Sequence, residues 1–208
     1  PAPPATALGK TEILWDRYGT PHIFAPTVER MFYAHGYAQM HNHANLLLKL
    51  YGQSRARGAE YWGREHAELD RWLLMNDLPE RAQDWYRAQT PAFKKNLIAF
   101  ARGINAYARA HPKAIADENK QVLPVTGLDV VQHTMRVVFY GYMGSRARLN
   151  RELGRPAATP EAGSNTWAIG PSRSASGNAM LIINPHLQWG DFYTYMEVHL
   201  TAPGVDLY

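Results

Sequence analysis

No cysteine occurs among the 208 residues of the chain, which excludes a disulfide framework and thiolate metal sites but leaves the compartment open. No apolar run approaches the roughly 18 residues of a membrane span, and the mean hydropathy is −0.40. A run of five Lys or Arg is missing too. The 22 basic and 18 acidic side chains leave a net charge of +4, and they are interspersed, which gives a nucleic-acid partner little support. There is no internal repeat and no long low-complexity tract. The opening PAPPATALGK carries no basic segment followed by an apolar one, so a signal peptide is expected to be absent or already removed. What the chain does have is core-forming material. It is 46% apolar and 12% aromatic, enough for one large domain or two small ones and too much for a disordered chain.

Along the chain, Thr11 to Trp15 and Pro21 to Phe24 read as two short strands around a turn at Gly19, a hairpin. From Val28 the period becomes helical: Met31, Ala34, Ala38, Ala44, Leu47, Leu48 and Tyr51 share one broad apolar face up to the Gly52 region. Thr90 and Pro91 open the clearest helix, which carries Phe93, Leu97, Phe100, Ile104 and Tyr107 and ends at His111-Pro112. A further helix starts near Thr126 and runs to about Met143, with Leu128, Val131, Met135, Val138 and Tyr142 in the same rhythm. Arg148 to Gly163 is polar and small and reads as an exposed linker. Strand signals follow, over Asn165–Gly170 and Met180–Asn184 about a Ser/Gly-rich turn, with looser alternation over Phe192–Leu200. The order hairpin, helices, linker, strands predicts an α+β fold.

Three constellations carry candidate chemistry. His41 and His43 have the look of a ligand pair, yet residues two apart on a helix point about 200° apart and cannot readily clasp one ion. Glu65, Glu68 and Asp70 cluster between Arg64 and Arg71 and read as a solvated, salt-bridged surface. Ser164, after Gly163 at the end of the linker, reads on composition alone as a loop residue before a strand. Nothing resembles Gly-x-Ser-x-Gly, and no spacing singles out a triad.

A longer pattern changes that reading. GSNTWAIGPSRSASGNAMLIINPHLQW, residues 163–189, resembles the start of the β subunit in the penicillin acylase family of N-terminal-nucleophile hydrolases. Ser164-Asn165-x-Trp167, Ser172-Arg173-x-Ala175-x-Gly177 and Asn184-Pro185-His186-Leu187 fall in family order and spacing. Ile13-Leu14-x-Asp16-x-Tyr18-Gly19-x-Pro21-His22-Ile23 resembles the opening of the family's α subunit. Gly36-Tyr37-Ala38, Arg57 to Gly63 and Phe100-x-x-Gly103-Ile104-Asn105-Ala106-Tyr107 follow in order.

The resemblance implies part of an αββα sandwich, with residues 1–147 as the α-subunit region, 148–163 as linker and 164–208 as the start of the β subunit. It implies an amidohydrolase whose nucleophile, Ser164, is freed by autoproteolysis at Gly163–Ser164 and uses its own α-amine as base. His186 sits in the family beside that amine; lactone-type and cephalosporin-type members carry His there and penicillin-G-type members Gln. Met143, Arg146, Ala147 and Leu187 match pocket-lining positions, and Ala147 is small where penicillin-G-type members have an aromatic. No cofactor is required: Glu152 reads first as a surface salt bridge, with an acidic position for a structural calcium as the other reading. The oxyanion-hole asparagine and its companion N–H are expected after Tyr208. The implied partners are a small acyl amide, with an acyl-homoserine lactone or acylated peptide ahead of a β-lactam, and the remainder of the β subunit in a heterodimer. The implied compartment is periplasmic or extracellular. A non-catalytic ligand-binding fragment and a helical interaction domain are the rival readings.

Overall fold

The computed structural model describes residues 9–143, 163–187 and 189–208. The described residues divide into two compact units, one of residues 9–143 with Met196–Tyr208, the other of residues 163–195.

Asp16 makes the first turn. Its Oδ1 accepts the N–H groups of Tyr18 (2.8 Å) and Thr20 (2.9 Å), and Gly19 takes φ +82°, where a side chain would be strained. The turn joins β1 (Glu12–Trp15) to β2 (Pro21–Phe24) as the expected antiparallel hairpin. Helix α1 (Val28–Ser54) begins where the Thr27 hydroxyl accepts the Arg30 N–H. Three shorter helices follow, α2 (Gly58–Trp62), α3 (Ala67–Met75) and α4 (Leu78–Ala88). Helix α5 (Pro91–Ala110) starts on the expected Thr90 cap with Pro91 in its first turn. After α6 (Asp117–Lys120) comes α7 (Gly127–Met135), opened by a Thr126–Asp129 capping box. The expected helix to Met143 changes pitch on the way: Arg136–Met143 is π-helical.

Two glycines let α1 and α5 touch. A Cβ on Gly36 would lie 2.1 Å from the Phe100 carbonyl oxygen, and one on Gly103 would lie 2.0 Å from that of Tyr33. Around this crossing Met40, Leu48, Tyr51, Phe100, Ile104 and Tyr107 form the main core. The front of α1 packs elsewhere, its Met31, Ala34 and Ala38 lying with Ile23, Ala25 and Ala202 against the sheet. The broad face read from the sequence thus serves two clusters, and His43, at φ −141° and ψ 38°, breaks the helix between its halves. His41 packs on Trp15. Among the described residues no group of three or more His, Cys, Asp or Glu is placed to hold a metal ion.

Two expectations are corrected. Asp70 is buried, and its carboxylate accepts the N–H groups of Gly58 (2.9 Å) and Ala59 (2.7 Å), donors that the first turn of α2 leaves unpaired; it is no part of a solvated surface. The alternation over Phe192–Leu200 yields a strand only at its end, β5 (His199–Ala202), because only there is a ladder available. β5 pairs in parallel with β2 and antiparallel with β6 (Val205–Leu207), giving the order β1-β2-β5-β6.

Arg55, just past α1, ties the helices together. Its guanidinium donates to both Asp129 oxygens (2.6 and 2.9 Å), to the Val122 and Pro124 carbonyls (2.8 and 3.0 Å) and to the Tyr61 hydroxyl (3.2 Å). Asp129 is buried and also accepts from the Thr126 N–H. Arg55→Met strands that carboxylate, and the expected loss in urea unfolding is about 3–5 kcal/mol; a loss under about 1 kcal/mol would remove Arg55 as the tie.

Burial pushes two histidines down, His35 to about 4 and His133 to about 3, the latter helped by the nearby Arg136 charge. His133 Nδ1 is buried without a hydrogen-bond partner among the described residues. Since the unfolded imidazoles titrate near 6.5, the unfolded state binds more protons below that pH. Stability is therefore complete above about pH 6.5 and falls as the pH drops towards 4, by up to about 1.4 kcal/mol per pH unit for each histidine. Urea titrations from pH 7 to pH 5 are expected to show a shallower fall for His133→Phe than for wild type, and equal slopes would refute the assignment.

Candidate active site

The second unit is built on a hairpin. β3 (Ser164–Ile169) and β4 (Met180–Pro185) run antiparallel, with Ser164 opposite Pro185, Asn165 opposite Asn184 and Ile169 opposite Met180. Gly177, at φ +72°, supplies the left-handed residue of the turn. Both strands lie within a residue of their sequence-predicted bounds, and Ser164 opens the first.

One hydrogen bond extends the ladder past Pro185: the His186 N–H donates to the Gly163 carbonyl at 3.1 Å. That carbonyl belongs to the Gly163–Ser164 bond. Because strand residues alternate in facing, Asn184 and His186 share one face with Asn165. The side-chain nitrogens of both asparagines lie 3.2 Å from His186 Nε2. Ser164, paired with Pro185, belongs to the opposite face and is exposed. His186 therefore reaches the Gly163–Ser164 bond through its backbone, while its ring is held by two amides. With two N–H donors aimed at Nε2, that nitrogen is the acceptor and the ring proton sits on Nδ1.

Among the described residues nothing lies within 4 Å of where a Cβ on Gly163 would stand. Leu187 follows His186 and is half-buried. Met143 ends the π-helical segment of the first unit. Arg146, Ala147 and Glu152 lie outside the described residues, and with Glu152 the implied calcium position. Asn165 and Asn184 stand in the sequence motif without a role assigned to them there. The signal for them is the register: once Ser164 is opposite Pro185, the asparagines must face each other beside His186.

Residues 10–208 match the sequence model of the penicillin amidase family. The chain belongs to that family. Among curated relatives, the acyl-homoserine lactone acylase PvdQ of Pseudomonas fluorescens strain Pf-5 is 27% identical over 227 residues, covering 94% of this chain and 29% of its own length. The Pseudomonas putida PvdQ is 28% identical over 234 residues, covering 98% of this chain and 30% of its own length. Penicillin G acylase of Escherichia coli is 22% identical over 149 residues, covering 70% and 18%. The chain thus spans less than a third of the length of these relatives. Among solved structures, a thermostable penicillin G acylase from Alcaligenes faecalis aligns with TM-score 0.59 at 21% identity, over 69% of this chain and 80% of that one. The likeness in fold agrees with the α+β architecture expected from the sequence. No described helix is long and apolar enough to cross a membrane.

The hydrogen bonds to His186 fix its tautomer. Nitrogen NMR shifts of the protein at pH 8 are expected to show Nδ1 protonated and Nε2 bare, and loss of that preference in the Asn165→Ala/Asn184→Ala variant. A proton on Nε2 in the wild type would overturn the assignment.

Proposed function

We propose that the full-length protein is an N-terminal-serine acylase that frees its own nucleophile. The observation that supports this best is the bond from the His186 N–H to the carbonyl of Gly163, the residue before the serine. Ser164 Oγ attacks that carbonyl carbon, and charge develops on an oxygen already facing an N–H donor. A donor of this kind is worth about 10²–10³ in rate. The Gly163–Ser164 C–N bond breaks, the proton of the hydroxyl goes to the departing nitrogen, and Gly163 is left as an ester on Ser164. Water hydrolyses the ester, giving the Gly163 carboxylate and a free Ser164 α-amine. Glycine at 163 leaves the backbone free to turn its carbonyl towards Oγ during the attack.

The freed amine is the base for turnover, because an α-amine titrates near 7.7–8.0 and is substantially neutral at mildly alkaline pH. It takes the Ser164 hydroxyl proton as Oγ attacks an acyl amide; the amine product leaves, and water releases the acid. In this reading His186, with its ring held by Asn165 and Asn184, steadies the new terminus. Met143, Arg146, Ala147 and Leu187 are taken, from the family resemblance, as the residues that meet the acyl group. A calcium at Glu152 is structural and enters no step. The cut chains stay together as a heterodimer in the periplasm or outside the cell.

Acyl-homoserine lactones are the preferred substrates in this reading. The relatives named above as acyl-homoserine lactone acylases match nearly the whole chain, and a small Ala147 leaves room for a long chain. Each buried CH₂ adds about 0.8 kcal/mol, roughly fourfold in binding.

The test is intact mass and a substrate series on full-length wild type and Ser164→Ala. Wild type is expected as two chains starting a new terminus at Ser164, with kcat/KM rising over several added acyl carbons. Ser164→Ala is expected as one chain without activity. Normal cutting of the alanine variant refutes self-catalysis by Ser164, and a phenylacetyl preference indifferent to acyl length refutes the substrate class.

A further inference from the structure

A second cluster of titratable groups lies on the sheet of the first unit. His22 and His199 are direct partners across the parallel β2–β5 pairing. Their Nδ1 atoms are 3.1 Å apart. On the outer side of the pair, His199 Nε2 lies 2.9 Å from Asp206 Oδ1 on β6, and His22 Nε2 lies 3.8 Å from Asp16 Oδ2 in the β1–β2 turn. The array therefore runs Asp16, His22, His199, Asp206. Tyr208 is the other titratable group facing it, with its ring 6.4 Å from that of His22 and 6.1 Å from that of His199. Phe24 and Thr201 complete the surroundings. The imidazoles are partly buried, and backbone donors hold the Asp16 carboxyl below its ordinary titration range, with the Thr20 bond foremost.

Two nitrogens 3.1 Å apart hold one proton between them, because N–H on both would set two donors against each other. As hydrogen-bonded, the pair therefore carries at most three protons on its four ring nitrogens. Pulled apart in acid, the two imidazoles carry four. The fourth proton therefore enters only as the contact opens.

The contact also has a particular place in the chain. β1 and β2 precede the Gly163–Ser164 bond, and β5 and β6 follow it. If that bond is cut, as the proposed function has it, the sheet is made of two chains, and among the described strands β2–β5 is the pairing that joins them. The seam is short, three residue pairs, extended by the Ala25 N–H on the Thr201 carbonyl at 2.9 Å.

We infer that the β2–β5 seam is the strand interface between the two chains of the processed protein, and that His22 and His199 form a proton-dependent clasp across it. The clasp is closed at neutral and alkaline pH and takes up one proton when it opens in acid. Opening then grows about tenfold for each pH unit lost below the histidine range.

Amide hydrogen exchange of β2, Ala25 and β5, corrected for intrinsic rates, tests this between pH 6.5 and pH 5. Full-length wild type is compared with the His22→Gln/His199→Gln double variant, whose amides can bond across the seam at every pH and bind no proton. His35 and His133 are present in both, so their acid effect cancels in the comparison. Opening in the wild type is expected to rise close to tenfold per pH unit more steeply than in the variant. Equal slopes overturn the clasp. Repeating the comparison in the Ser164→Ala background separates the two readings, since the clasp must respond to pH there whether or not the wild type is cut. A wild-type mass showing one uncut chain overturns the inter-chain interface and leaves that comparison to decide the clasp.

Discussion

The closeness of α1 to α5 sets the first unit. At Gly36 and Gly103 each helix presses its backbone on a carbonyl of the other, a reciprocal contact in which any side chain would force the axes apart. Phe100 packs on His35, and Tyr107 on Tyr37 and His41, because of that approach. The cost of two helical glycines, about 1 kcal/mol each relative to alanine, is offset by the burial of several large side chains at about 1.5–3 kcal/mol each. The same crossing fixes the direction in which the front of α1 presents Met31, Ala34 and Ala38 to the sheet, and so where β2 and β5 can meet.

At the far end of α1 the constraint is electrostatic. Arg55 meets Asp129, which also closes the capping box of α7, so one carboxylate satisfies a cation and a helix start together. A buried pair of this kind stabilises only when its remaining donors are satisfied. The carbonyls of Val122 and Pro124 and the Tyr61 hydroxyl meet that condition. The loop before α7 is therefore held by the residue that ends α1.

How much of this was legible in the sequence depended on how local the cause was. Helix α5 was read at both ends because Thr90, Pro91 and His111-Pro112 act within a turn of where they stand. The hairpin of β3 and β4 was read because a Ser/Gly turn sits between two extended runs. β5 was blurred: its partner His22 lies 177 residues away, and alternation without a ladder does not distinguish a strand from a turn such as Asp191–Tyr193. Asp70 was misplaced for a similar reason, since composition gives its charge but not the two unpaired N–H groups it meets. In the candidate site Ser164, Gly163 and His186 are legible only through a whole motif, not through any spacing of catalytic residue types. Asn165 and Asn184 stood in the same motif and acquired meaning only from the register.

The strands that carry the candidate site have little of their own to hold them. Every residue of β3 and β4 is exposed, Trp167, Leu181, Ile182 and Ile183 among them. A lone two-stranded hairpin is marginal in water, and apolar layers or further strands are what make one rigid. The position of the Gly163 carbonyl against the His186 N–H thus rests on the backbone ladder itself. A reaction that needs that carbonyl held to within a fraction of an ångström of Ser164 Oγ cannot run faster than the ladder is made firm. In the proposed function this couples the cut to folding: a formed ladder holds the bond to be broken, and the amine that serves as base appears only after that ladder is in place.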